Sequence, residues 1–117
     1  MAFSLAVFNV LAHNRDDHAK NIAFLMDERG TWSLAPAFDL TFSNGPGGEQ
    51  SMMVAGQGKD PSIEDLVRLA DQAGIQPSYA AQVIEQVQSA LAQWPSLAKA
   101  EELDGALIER IRTALRV

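Results

Sequence analysis

The chain has 117 residues and a formal net charge of −6 at pH 7. This length fits one domain, or part of one, with a single hydrophobic core. The nine Lys and Arg residues are scattered in an acidic chain, which argues against direct nucleic-acid binding, since such binding needs a basic patch. With no cysteine there is no disulfide framework and no thiolate nucleophile, so we expect a protein of a reducing compartment, the cytoplasm.

The apolar segment Met1–Ala12 predicts a buried helix and neither a signal peptide nor a membrane span. It lacks a basic N-terminal region, Asn9 interrupts it, and twelve residues are too few to cross a bilayer. We expect a helix from about Ala2 to His13, because apolar residues recur there at helical spacing. The most continuous apolar face is formed by Phe3, Val7, Val10 and Leu11. A helix that is apolar nearly all round needs covering on several sides, so we expect exposed apolar surface that associates with another lobe or a second copy.

A charged loop, Arg15–Lys20, joins this helix to a predicted β-hairpin. The apolar segments Asn21–Met26 and Thr31–Leu34 flank a polar turn that ends in Gly30, where a positive φ is expected. Pro36 should end the second strand. These features predict an antiparallel pair of short strands after the first helix.

Residues 41–60 are rich in glycine and predict a long loop with little regular structure. Only Met52–Ala55 could form a short strand there. Long structureless segments in small domains are usually functional or mobile, and either property suits a loop beside a site.

From Ser62 onward the pattern predicts helical scaffold. Ser62 and Asp65 resemble a capping box, and Gly74 should end the helix that they begin. The last of three helical pieces comprises a short lead over 96–102 and a helix over 103–115. The fold class predicted is mainly α with a small β-hairpin, an α+β arrangement in which a helical bundle follows the hairpin.

Between these two pieces, a longer helix should open at Pro77 and be stopped by Pro95. Tyr79 and Trp94 recur at helical spacing along it. Large aromatic side chains at such positions usually anchor a core, so we expect both to be buried.

Three polar residues among the first forty suggest chemistry. A hairpin returns the chain to its origin, so Asn21 and Asp39 should lie at the same end of it and could face one cation held by oxygen ligands. Asp16 lies a short loop away. A divalent cation held by an amide and a carboxylate, beside a second carboxylate, is the equipment of phosphoryl transfer to a hydroxyl group.

The motif Asp16-x-His18-x-x-Asn21, followed by Asp39, resembles the catalytic loop and metal-binding aspartate of HipA-type serine/threonine toxin kinases. It is more distantly similar to the phosphoinositide-kinase-like branch. The segments 18–21 and 34–40 both look like HipA-family segments, and the spacing between them is similar to that of the family as well. The resemblance implies that Asp16 is the catalytic base, that Asn21 and Asp39 are magnesium ligands, and that His18 supports the loop. Lys20 would neutralise phosphate charge or support the loop.

The resemblance also implies an architecture and partners. Residues 1–117 would form one kinase-like C-lobe domain, with the catalytic loop and metal aspartate in 1–60 and helical scaffold in 61–117. The intact kinase would use ATP and Mg²⁺ to phosphorylate a protein Ser or Thr. We expect the nucleotide to be bound by an N-terminal kinase lobe outside these residues, so that residues 1–117 are inactive when isolated. A small HipB-like antitoxin is the implied partner.

Two other functions stay open from the sequence. His13, Asp16, Asp17 and His18 could ligate a transition metal in a metal-dependent phosphohydrolase, although two histidines make a thin ligand shell. Alternatively, the chain could be a non-catalytic helical module for binding or regulation that retains the shape of a kinase loop.

Overall fold

A computed structural model describes residues 2–117 and has five α-helices and one hairpin in that range. The elements are α1 (Ala2–Leu11), β1 (Phe24–Met26), β2 (Trp32–Leu34), α2 (Ile63–Gln72), α3 (Pro77–Leu91), α4 (Trp94–Ala100) and α5 (Gly105–Ala114), with short 3₁₀ turns at Ala19–Asn21 and Pro46–Gly48. The prediction of a mainly α fold with a small β-hairpin is confirmed.

The core is built around α1, which packs against α3 and α2. Its predicted apolar face is buried, and it meets a cluster from the later helices that includes Leu66, Ala70, Ala80, Val83 and Ile84. No residue of α1 after Ala2 is exposed, so the expectation of an exposed first helix is wrong, because α2 and α3 supply the cover. No helix within residues 2–117 combines the length and the apolar character needed to cross a membrane.

The first helix also ends two residues earlier than predicted, at Leu11. His13 has a φ of 56°, which lies in the left-handed region and cannot continue a right-handed helix. The backbone therefore turns at His13 into the charged loop.

The hairpin forms as predicted, with β1 and β2 antiparallel and Leu25 paired with Ser33. Gly30 has a φ of 81°, and the carboxylate of Asp27 accepts hydrogen bonds from two backbone amides of the turn. Strand β2 ends before Pro36. Asn21 was predicted to begin the first strand, but it closes the 3₁₀ turn that precedes β1.

The segment 41–60 is irregular, as predicted, but Met52–Ala55 is not a strand. Val54 pairs only with Gln57, in an isolated antiparallel bridge, because Ala55 has a φ of 48° and turns the chain back. Val54 is nevertheless 4% exposed and belongs to the core.

The predicted capping box at the start of α2 is present. Ser62 Oγ accepts from the Asp65 amide at 3.3 Å, and Asp65 Oδ2 accepts from the Ser62 amide at 2.8 Å. The Ser62 amide, and then the Ser62 hydroxyl, which donates to Asp65 Oδ2 at 2.9 Å, hold the pKa of Asp65 below its ordinary value, with a smaller contribution from Arg68. Gly74, with a φ of 68°, follows the end of the helix.

Two predictions for the later helices are wrong. Helix α3 ends at Leu91, and Pro95 lies in the first turn of α4, where a proline costs no backbone hydrogen bond. Tyr79 is 49% exposed and does not anchor the core. Trp94 is half-buried, and its indole Nε1 donates to the carbonyl of Ile108 at 3.2 Å, which ties α4 to α5.

Candidate active site

The charged loop is held in place by a backbone bridge to the irregular segment. Asn14 and Ser43 form an isolated parallel bridge, in which the Arg15 amide donates to the Ser43 carbonyl and the Ser43 amide donates to the His13 carbonyl, both at 3.0 Å. The loop therefore leaves α1 with its backbone fixed on one side.

The structure brings Asn21 into contact with both Asp39 and the backbone of Asp16. The Asn21 Nδ2 lies 3.0 Å from Asp39 Oδ2 and 3.3 Å from the Asp16 carbonyl oxygen. Pairing of the hairpin continues beyond the strands, since the Ala35 amide donates to the Ala23 carbonyl at 2.9 Å. This added pair brings the chain on either side of the hairpin together and sets Asp39 beside Asn21.

Asp39 has an uncommon backbone conformation. Its φ is 54°, in the left-handed region that Asp tolerates better than most residues, and the residue is exposed. Asp16 is half-buried, and within residues 2–117 its carboxylate has no ion pair or hydrogen-bond partner. One carboxylate is thus fixed by an amide, while the other can receive a proton from an incoming group.

The oxygen atoms of Asn21 and Asp39 suit a magnesium ion. Asn21 turns its Nδ2 toward Asp39 Oδ2, so the Asn21 Oδ1 and the Asp39 Oδ1 remain available as metal ligands. Mg²⁺ commonly binds one or two protein carboxylates and completes its shell with waters and substrate phosphates. Within residues 2–117 no three His, Asp or Glu side chains gather to hold a metal ion, so a cation here would depend on such outside ligands.

In a comparison with protein-family models, residues 1–94 match the HipA-like C-terminal domain. The chain belongs to this family. The matched range covers the charged loop, the hairpin, the irregular segment and helices α1 to α3. No curated protein matches the chain significantly.

His13, just before the charged loop, and Asp17 within it have structural roles in this HipA-like domain. The His13 ring stacks on Phe42 with centroids 5.2 Å apart, and its Nε2 lies 3.2 Å from Asn44 Oδ1. Burial, and then the neighbouring Arg15 cation, lower the pKa of His13. Asp17 is 7% exposed, and its Oδ1 accepts from the backbone amides of 51 and 52 at 3.0 and 3.1 Å.

These contacts contradict the ligand set expected for the phosphohydrolase alternative. That set has His13, Asp16, Asp17 and His18 sharing a metal, but in residues 2–117 they form no such cluster. His13 and Asp17 are instead committed to the irregular segment.

His18 precedes the 3₁₀ turn that ends at Asn21, and Lys20 lies within it. Lys20 is exposed and has no ion pair within residues 2–117. His18 is half-buried, and its Nδ1 is fully buried without a hydrogen-bond partner in that range. The roles expected of both residues in the catalytic loop remain predictions.

Sequence reasoning missed the polar side chains that fasten the irregular segment to the loop of this HipA-like domain. Gln50 Nε2 donates to the Asn14 carbonyl at 3.0 Å, and Ser51 Oγ donates to the Arg15 carbonyl at 2.9 Å. The Arg15 guanidinium contacts the Gly48 carbonyl and lies 3.0 Å from Asp60. These partners are more than thirty residues apart in sequence, and no local pattern indicates such pairs.

Proposed function

We propose that this HipA-like domain supplies the catalytic loop and the magnesium-ligating residues of a protein serine/threonine kinase of a toxin–antitoxin system. The observation that carries the proposal is the Asn21 amide, which bridges the Asp39 carboxylate and the Asp16 backbone. This arrangement gives one carboxylate for a cation and one free carboxylate for an acceptor hydroxyl.

In the proposed reaction, Asp16 orients the Ser or Thr hydroxyl of the protein substrate and accepts its proton. The hydroxyl oxygen forms a bond to the γ-phosphorus of ATP as the bond from that phosphorus to the β–γ bridging oxygen breaks, which releases ADP. Asn21 and Asp39 would hold Mg²⁺, which when bound neutralises charge on the phosphate oxygens. Lys20, exposed at the end of the loop, would add positive charge toward the phosphates.

The same proposal includes partners. An N-terminal kinase lobe that binds the nucleotide would complete the ATP site, so residues 1–117 should turn over ATP slowly or not at all when isolated. A HipB-like antitoxin would restrain the intact kinase in the cytoplasm.

The test is Asp16→Asn in the intact kinase, with transfer from ATP to protein followed by mass spectrometry. Loss of a general base typically costs 10²- to 10⁴-fold, so we expect transfer to fall at least about 100-fold while folding is unchanged. Asp71→Asn, at an exposed position of α2, is the matched control and should retain activity. Near-native turnover of Asp16→Asn would show that Asp16 is not the base.

The isolated domain gives a second test. Incubation of residues 1–117 with ATP and Mg²⁺ should give little or no phosphorylation. Robust autophosphorylation would refute the requirement for another lobe.

A non-catalytic binding or regulatory module is the second candidate, favoured by the apolar hairpin. Phe24, Met26 and Trp32 are 60%, 57% and 65% exposed, although large apolar side chains usually avoid water. A module of this kind would keep its cellular effect in the Asp16→Asn variant, whereas a kinase would lose it.

A further inference from the structure

An open groove of about 500 Å³ lies between α2 and α3, and we call it the α2–α3 groove. Its buried floor includes Ala70, Ala80 and Ile84, and the two alanines leave space between the helices that larger side chains would fill. All of its lining residues lie within 63–88. The groove is therefore separate from the charged loop, the hairpin and the irregular segment.

The walls of the groove expose apolar side chains. Ile63 and Val67 are 39% and 49% exposed, and they share one side of α2 because they are four residues apart. Through Ile63 and Gln88 the groove continues into an open depression that reaches Val117, which is 56% exposed. From Pro77 to Gln88 the groove follows α3 for about 16 Å, at 1.5 Å per residue. It is thus long enough to hold about three turns of another helix.

Two glutamates beside these apolar walls carry unpaired negative charge. Glu85 lines the α2–α3 groove, Glu64 lines the depression that continues it, and both are exposed. Within residues 2–117 neither carboxylate has an ion-pair partner. The cations that line the same surface, Arg68 and Arg116, are each paired with an aspartate of this chain. An apolar groove with free acidic groups beside it is complementary to a partner that is apolar on one face and basic at its edges.

We propose that the α2–α3 groove binds an amphipathic helix of a partner protein, with apolar side chains in the groove and Lys or Arg residues along its flanks. A helix fits because the walls are side chains of two helices whose backbones are already hydrogen-bonded, so an extended segment would find no backbone partners. The basic flanks would pair with Glu64 and Glu85. A second copy of this acidic chain, docked groove to groove, would instead place like charges together.

A designed peptide tests the groove without any need for kinase activity. The probe is a capped helix of about four turns, built from Leu, Ala and Lys, with Leu at helical spacing on one face and Lys on both flanks. One control has Glu in place of every Lys, and the other has the same composition in scrambled order. In isothermal titration calorimetry with the 117-residue protein, we expect the Lys peptide to bind at least about tenfold more tightly than either control. In NMR spectra of ¹⁵N-labelled protein, the shifts should fall on the amides of α2 and α3.

Equal binding of the Lys peptide and either control would overturn the proposal, as would the absence of binding or shifts confined to another surface. The same shifts on raising the protein concentration without peptide would assign the groove to a second copy, which would also overturn it.

Charge variants locate the site independently. Glu64→Lys combined with Glu85→Lys should weaken binding of the Lys peptide at least about fivefold, because two attractive charges become repulsive. Glu28→Lys combined with Glu101→Lys changes the net charge equally, at exposed positions outside the groove, and should leave binding nearly unchanged. An equal loss in both double variants would mean that the peptide responds only to net charge, which would contradict the site.

A second pair of variants tests the apolar wall. Val67→Ser removes apolar surface from the groove and should weaken binding at least about threefold. Leu97→Ser, at an exposed position of α4, should leave binding unchanged. Undiminished binding in Val67→Ser, or an equal loss in Leu97→Ser, would show that the peptide does not occupy the groove.

Discussion

Two adjacent carboxylates in the charged loop have different surroundings. Asp16 is half-buried with a carboxylate that has no partner within residues 2–117, whereas Asp17 is buried and accepts two backbone amides. A carboxylate that satisfies buried amides is structural, since its removal leaves those amides unpaired. The pair therefore divides into one residue available for chemistry and one that holds the irregular segment.

Replacement of Asp17 should measure this structural role. We expect Asp17→Ala to lower the free energy of unfolding by about 2–3 kcal/mol, because two hydrogen bonds to a charged acceptor are lost. Asp17→Asn should cost less, since both amides donate to a single oxygen that an asparagine also carries. Urea denaturation compares the two variants. Equal losses in both would indicate that the charge matters and the hydrogen bonds do not.

His13 should make stability depend on pH. Its pKa is lowered in the folded state by burial and then by Arg15, so the unfolded chain binds the proton more readily. The stability that this pKa difference supplies is present above the unfolded pKa of about 6.5, and it is lost as the pH falls through the lower folded pKa. We expect the urea midpoint to decrease as the pH is lowered from neutral to mildly acidic, and to decrease less in His13→Asn. Asn is the chosen replacement because it also tolerates a positive φ. The same pH dependence in both proteins would assign the effect to another group.

The irregular segment 41–60 acts as an element although it lacks regular structure. Polar contacts from Gln50, Ser51 and Asp17 join it to the charged loop, and Val54 anchors it in the core. Its ordering thus comes from side chains that are far apart in sequence. This explains how so many glycines can stand in a defined conformation beside the candidate site.

Gly45 and Gly47 offer a test of that packing. Both have a φ of 69°, but Gly45 has a ψ of 165°, in a region that is essentially restricted to glycine, whereas Gly47 has a ψ of 7°, close to the left-handed helical region. A Cβ at Gly45 would lie 2.5 Å from the Glu49 carbonyl oxygen and 2.7 Å from the Arg15 Cβ, whereas at Gly47 it would meet nothing within 4 Å. We expect Gly45→Ala to destabilise the protein by about 1–3 kcal/mol more than Gly47→Ala, because of the clash and the less favourable backbone conformation, as measured by urea denaturation. Equal losses would mean that the segment shifts freely enough to relieve both.

The C-terminal segment contacts the end of α1 near the charged loop. The Arg116 amide donates to the Leu11 carbonyl at 3.0 Å, and the Arg116 guanidinium contacts the Pro61 carbonyl and Asp60. Asp60 also pairs with Arg15. The C-terminus therefore closes over the end of α1 and the start of α2, and shares an acidic partner with the charged loop.

Removal of this closure should destabilise the fold more than removal of an ordinary surface ion pair. We expect Arg116→Ala to cost about 1–2 kcal/mol, because a half-buried guanidinium loses a backbone carbonyl and a carboxylate. Arg112→Ala removes an exposed pair with Glu109 within α5 and should change stability by less than about 0.5 kcal/mol. Thermal unfolding of both variants gives the comparison, and similar midpoints would show that the C-terminus contributes little.

Local patterns sufficed for the hairpin, the capping box of α2 and the apolar face of α1, since each depends on neighbours within a few residues. They also singled out Asp16, Asn21 and Asp39, because the two sides of a hairpin end at the same place. Local patterns failed for Tyr79, which recurs at helical spacing with apolar residues but has an exposed side chain. The spacing of residues shows which of them share a face, but not whether another element covers that face.

Only the tertiary structure decided which loop residues hold the fold and which are free. Asp16 and Asp17 are indistinguishable by residue type, and their roles separate because the amides of 51 and 52 reach one of them. The same long-range packing covers α1. Residue types and local spacing determine helices, turns and the chemistry that a loop can offer, whereas contacts across thirty or more residues decide which of those groups remain available to a ligand.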